Sequence, residues 1–283
     1  MKFGAADGSH LQAHDFFLPA VKQMVLPGLP ALHPKIYIGL PHWGKKEWVG
    51  KLYPAKTREK EFLNLYAAHF NSIELNATHY KIYPEENIIS WTARVGEKDF
   101  KFCPKIYKGV THFGSLGGKE KIMGEFLKSV NNFQKHIGPI FLQLPEAFSV
   151  NRKEELIRFL STLPVTHKFF LELRHESWFN SAKDLNEIIT ALEAHKIGFV
   201  ITDTIARRDT LHMQLTTPET FIRFICTANE EIDKSRILQW KQQLQVWFKN
   251  GLQNCYFFIH LGETRIEFAK FIQDEISNVL NVN

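Results

Sequence analysis

Cysteine is scarce, with three in 283 residues. Cys103, Cys226 and Cys255 lie far apart, outside any CxxC spacing and among apolar or aromatic neighbours. That pattern suits buried thiols in a reducing compartment and speaks against a disulfide framework or a zinc site. A cytoplasmic location is therefore expected. Long apolar runs are also missing, and Asp7, His10, His14 and Asp15 interrupt the N-terminal stretch, so neither a membrane span nor a signal peptide is expected.

No dense block of Lys or Arg is present. The 35 basic residues exceed the 30 acidic ones by a formal charge of +5, a mild excess that leaves nucleic acid open as a partner without indicating it. None of the 13 histidines stands in HExxH or another tight ligand spacing. A divalent metal would have to be held by carboxylates from separate strands, and the cofactor, if any, is left open.

What is present is a repeated alternation of short apolar strands with longer stretches of helical periodicity. Gly4, Gly8, Pro19, Pro27, Gly28, Pro30 and Pro34 mark residues 1–34 as an irregular N-terminal arm packed on the main body, with Phe16-Phe17-Leu18 docking it. From residue 35 to 283 about eight βα units can be counted, with strands expected at 36–39, 72–77, 101–104, 140–144, 169–173, 199–202, 221–225 and 255–260. Eight units of this length are what closes a single (β/α)8 barrel, an α/β fold of the TIM type. A doubly wound open sheet is the alternative, weakened because no Gly-rich fingerprint follows the first strand.

In such a barrel the C-terminal strand ends share one face, where active sites are built. The segment FFLELRHESWF (Phe169–Phe179) places four ionisable side chains there. Strand alternation sends Glu172 and Arg174 to the interior and His175 to the rim. Arg174 could grip an anionic group while Glu172 or His175 exchanges a proton, or Glu172 and Arg174 could form a buried ion pair. Glu74, Asn76 and Thr78 alternate in the same way, and Glu74 opposite Glu172 would give two inward carboxylates for acid–base work on a sugar-like substrate or for a metal. Neutralisation by Arg174 or Lys105 is the competing reading.

Asp203 ends strand six, as a turn cap or as part of an anion site with His212 and Arg223. His42 and Trp43, with Trp48, would stack on a sugar or base, or lie as a lid over the mouth. Lys105 after Phe102-Cys103-Pro104 suits phosphate or carboxylate binding, with a base or Schiff-base nucleophile as the other use, and Gln143 at strand four completes the polar set.

The ordered runs IGLPHWGKKEWVGKLYP, SIELNATHY, FKFCPK, FLQLPEAF, FLELRHESWF and ITDT resemble the DUF72 family, also called the YecE-like family, over nearly everything from Ile36 onward. The resemblance implies a TIM barrel; the family is one of uncharacterised function and supplies no reaction. Many members read like GTSGW where this chain has Gly39-Leu40-Pro41-His42-Trp43, and carry an Asn-rich end to strand eight where it has Ile259-His260-Leu261-Gly262.

The expected function is an enzyme of the hydrolase or isomerase type. It would act on a small polar, anionic or sugar-like substrate, with Glu172, His175, Glu74 and Asp203 as catalytic candidates. Arg174, Lys105, Asn76, His42, Trp43, Gln143 and Arg223 are the substrate-binding candidates. A non-catalytic binding protein for a phosphorylated metabolite or nucleic acid is the alternative.

Overall fold

The computed structural model describes residues 16–19, 33–261 and 265–281. Its chain alternates strand and helix: β1 (Lys35–Leu40), α1 (Phe62–His69), β2 (Ser72–Leu75), α2 (Glu85–Val95), β3 (Lys101–Pro104), the single-turn α3 (Lys108–Thr111), α4 (Glu120–Val130), β4 (Ile140–Gln143) and α5 (Lys153–Ser161). β5 (Phe169–Glu172), α6 (Ala182–Ala194), β6 (Gly198–Asp203), β7 (Glu219–Ile225), α7 (Glu230–Lys249), β8 (Asn254–His260) and α8 (Ile266–Ser277) follow. Between β6 and β7 the described chain has only a 3-10 turn, Arg208–Thr210, in place of a helix.

All eight strands are parallel, in the order β3-β2-β1-β8-β7-β6-β5-β4. β3 and β4 meet through bridges between Phe102 and Ile137 and between Lys105 and Phe141, which bring the sheet nearly full circle. The fold is a (β/α)8 barrel. Gly39 is needed where β1 turns past β2, because a Cβ there would sit 2.1 Å from the Ser72 carbonyl oxygen.

Two apolar regions follow from the period of two along each strand. Residues facing outward join the helix stripes, such as Met123, Phe126 and Val130 of α4, in one large core. Inward-facing Tyr37, Cys103, Phe141, Phe170, Val200, Phe221, Tyr256 and Phe258 form a separate plug in the barrel interior. Phe221 is its hub, with ring centroids 4.7 Å from Phe258, 5.3 Å from Phe141 and 5.7 Å from Phe170.

Several boundaries differ from expectation. The second strand stops at Leu75, and Asn76–His79 form a 3-10 turn, so Thr78 does not continue the alternation. Its hydroxyl instead donates to the carbonyls of Leu75 and Lys105 at 2.8 Å. α4 ends at Val130 and passes into a 3-10 segment, with Gln134 at φ 48°. α7 begins at Glu230 because Asn229 caps it by accepting from the amides of Glu231 and Ile232.

Of the expected arm, Phe16–Pro19 is described and the remainder of 1–32 lies outside the described residues. Phe16 is buried against Ile205 and Ile232, and the Leu18 amide donates to Gln239 of α7 at 2.8 Å. No helix among the described residues is long and apolar enough to cross a membrane.

Candidate active site

Two residues beyond each plug residue the alternation returns to the interior, one layer nearer the C-terminal mouth. Cys103, Phe141, Phe170, Val200, Phe221 and Phe258 are thus followed by Lys105, Gln143, Glu172, Thr202, Arg223 and His260, and Ser72 by Glu74. A polar layer therefore lies directly on an apolar plug.

Arg223 on β7 organises the layer. Its Nε and Nη2 donate to Glu74 Oε2 and Oε1 at 2.9 and 3.1 Å, while Nη1 donates to Glu172 Oε1 and Oε2 at 2.9 and 3.2 Å. Glu74 also accepts from Asn76 Nδ2 at 2.9 Å, and His260 Nε2 lies 3.0 Å from its Oε2. Glu172 accepts from Gln143 Nε2 at 2.6 Å, Thr202 Oγ1 at 3.1 Å and Arg174 Nε at 3.2 Å. Lys105 Nζ closes the chain by donating to Gln143 Oε1 at 2.5 Å.

These contacts fill the acceptor sites of both carboxylates. Glu74 and Glu172 are essentially inaccessible to solvent, at 0% and 1%. Burial alone would raise both carboxyls, but the surrounding cations outweigh it. Arg174, Arg223, the Gln143 amide and Lys105 bring Glu172 down to about 2, and Arg223 with the His260 contact holds Glu74 well below the usual carboxylate range. Both are anions across the physiological range. Lys105 moves the other way for a base: burial lowers it to about 8, against partial compensation from Glu172. His79 and His112, whose ring centroids are 4.6 Å apart, are lowered to about 4 by burial and by the Lys105 charge.

The structure thus brings together Glu74, Asn76, Lys105, Gln143, Glu172, Arg174 and Arg223. Four other expected site residues are placed elsewhere. Asp203 points away from the interior: its Oδ1 accepts from Arg208 and Arg236 at 2.6 and 2.8 Å, and its Oδ2 from Trp240 Nε1 at 2.8 Å, both helix partners lying on α7. Its neighbour Thr202 takes the inward position, because adjacent strand residues face opposite ways. His175 is spent on a local cap, its Nδ1 accepting from the Ser177 amide at 3.1 Å and lying 2.8 Å from the Ser177 hydroxyl. Trp43 packs edge-on to Trp91 and Phe102 at 5.4 and 6.5 Å, in the layer outside the barrel, and His42 stacks on Trp48 at 5.3 Å. Arg223 is the counter-ion shared by both carboxylates, Arg174 pairs with Glu172 as one of the expected cations, and Lys105 reaches Glu172 only through Gln143.

Thr202 was not among the expected site residues, and His260 was given no role there. His260 falls at a strand end like the others, and that position was the available signal. Its contact with Glu74 depends on β8 and β2 lying on the two sides of β1 in the sheet. Among the described residues no three His, Cys, Asp or Glu side chains are grouped to hold a metal ion.

A sequence model of the family described as "Protein of unknown function DUF72" matches residues 37–278. The chain belongs to the DUF72 family. It is 28% identical over 243 residues to the UPF0759 protein YecE of Escherichia coli K12, covering 80% of this chain and 86% of that protein. It is 30% identical over 158 residues to the UPF0759 protein YunF of Bacillus subtilis 168, covering 51% and 52% of the two chains. Among solved structures, a DUF72 family protein from Enterococcus faecalis V583 superposes with a TM-score of 0.62 at 18% identity, over 89% of this chain and 99% of that one. A xylose isomerase domain protein from Alicyclobacillus acidocaldarius shares the fold at a TM-score of 0.54 and 9% identity, over 88% and 100%.

Proposed function

We propose that this DUF72 chain is an enzyme of the hydrolase or isomerase type that acts on a small polar, anionic or sugar-like substrate at the C-terminal barrel mouth. The observation that carries the reading is the polar layer itself. Seven strands deliver Glu74, Lys105, Gln143, Glu172, Thr202, Arg223 and His260 to one cross-section, directly above a plug of apolar side chains. Closing that cross-section with apolar side chains would avoid the desolvation of several charges, so their retention at the catalytic end speaks for use.

The geometry favours a division of roles. Glu74 and Glu172 are saturated with donors and stay ionised, so they organise the site and do not give up protons near neutral pH. His260, held by Glu74 and less buried than it, is the acid–base group, in the manner of a carboxylate that fixes and supports an imidazole. Arg174 at the rim and Lys105 below it supply the positive field for an anionic or oxygen-rich substrate.

Thermal-shift screening with aldoses, ketoses, sugar phosphates and sugar acids, followed by turnover assays on the stabilising compounds, tests the proposal. His260→Asn should lower turnover by about 10²-fold or more while the variant remains folded, and Arg174→Met should abolish the ligand-induced rise in melting temperature. Unchanged turnover in folded His260→Asn would overturn the assignment.

A further inference from the structure

Lys105 differs in setting from the other cations of the mouth. Arg223 pairs with both carboxylates and Arg174 with Glu172, yet among the described residues no carboxylate reaches ion-pairing distance of Lys105. Its nitrogen donates to a neutral acceptor, the Gln143 amide oxygen, and lies 5.8 Å from the Phe141 ring centroid. Glu172 is reached only through Gln143, whose Nε2 donates to it at 2.6 Å. The side chain is buried, at 8% exposure.

We propose that Lys105 is a nucleophilic catalytic residue that captures the carbonyl carbon of an aldehyde or ketone substrate, including the open-chain form of a sugar-like compound, as an imine. This deepens the reading of the mouth as a substrate site and rests on it.

The charged groups facing Lys105 agree with this assignment. Arg223 from β7 and Arg174 from the end of β5 disfavour an ammonium, whereas Glu172 and Glu74 favour it; His79 and His112 stand neutral beside it near pH 7. Burial is the largest influence, and with a value of about 8 a substantial neutral fraction exists at physiological pH.

The reaction balances without an oxidant or reductant. The amine lone pair attacks the carbonyl carbon, and the proton released by nitrogen passes to the former carbonyl oxygen, giving a neutral carbinolamine. A second proton, drawn from the medium, lets that oxygen leave as water, and the nitrogen lone pair closes the iminium bond. Glu172, linked through Gln143, faces the resulting cation.

Trapping tests the proposal directly. The full chain is incubated with glycolaldehyde and sodium cyanoborohydride across a pH series, and adducts are quantified by peptide mapping. At about pH 7.5, labelling at Lys105 should exceed that at the exposed Lys60 and Lys121 by about tenfold or more, because an ordinary lysine is almost wholly protonated there. The rate should inflect near the Lys105 value of about 8, and in Arg174→Met, which removes a neighbouring positive charge, that inflection should move to higher pH. Lys105→Arg should eliminate the adduct while its melting curve shows a folded chain.

Labelling of Lys105 no faster than Lys60 overturns the imine. If Arg174-dependent stabilisation by sugar-like ligands persists in that case, the mouth remains a substrate site and only the nucleophile fails. If both are absent, the reading of the mouth fails with it.

Discussion

Arg223 touches both buried carboxylates, so its removal takes the guanidinium from Glu74 and leaves Glu172 with Arg174 as its direct ion-pair partner. Arg223→Met is expected to cost about 3–5 kcal/mol of unfolding free energy, measured by urea titration at neutral pH. Arg223→Lys should recover little of it, because a single ammonium cannot span Glu74 and Glu172 as a planar guanidinium does. Acid should weaken the fold in two stages with one sign. Burial lowers His79, His112 and His212 from 6.5 to about 4, so between those values the unfolded chain binds more protons and stability falls as pH falls. Glu172, held at about 2 against an ordinary 4.5, extends the loss below the histidine window. Unfolding free energy plotted against pH should therefore already descend above about pH 5, and His212→Gln should flatten that upper limb. At this scale Glu172 and Glu74 were legible as candidate inward carboxylates because each lies near the C-terminal end of an apolar strand. The identity of their partner was not legible, because Arg223 is 149 residues from Glu74 and 51 from Glu172 in the chain.

Asp203 shows how an element's needs can imitate a site. It ends β6 at the C-terminal face of the barrel, yet its carboxylate joins that strand to Arg236 and Trp240 of α7, and Arg236 also pairs with Asp233 at 2.9 Å. Asp203→Asn should destabilise the fold by about 3–5 kcal/mol by leaving Arg236 buried with less charge compensation, and calorimetric titration should show ligand affinity at the mouth unchanged. Equal loss of affinity and stability would return Asp203 to the site. A one-residue difference in strand phase separates the two roles, and chain order alone does not report which phase is inward. At β1, Gly39→Ala forces a methyl group against the Ser72 carbonyl, and a loss of about 1–3 kcal/mol in urea unfolding is expected from the displaced strand pair. The presence of helices between the strands was readable from periodicity. The 3-10 turn after β2 was not, because Asn76 and Thr78 continue a strand-like alternation until a local hydrogen bond to Leu75 and a tertiary one to Lys105 fix the bend.

The whole barrel is a two-storey interior, an apolar plug beneath a charged layer, and the two depend on each other. The plug gives the polar side chains a floor that excludes water, which strengthens their mutual attraction and raises the cost of leaving any of them unpaired. Phe221→Ala should remove about 3–5 kcal/mol by opening a cavity at the hub of that floor, as read by chemical denaturation. The sequence by itself determined the parallel barrel, because hydrophobic period and the count of βα units are local properties that survive without knowledge of contacts. It also determined that charged residues gather at the strand ends, since a strand's C-terminal end can be read from its own residues. Only the tertiary structure decided which charges meet: Arg223 with two carboxylates, His260 with Glu74, Lys105 with a neutral amide, and Asp203 with the helix layer outside. Those pairings depend on the register of strands across a closed interior, and register between distant segments arises from their simultaneous packing.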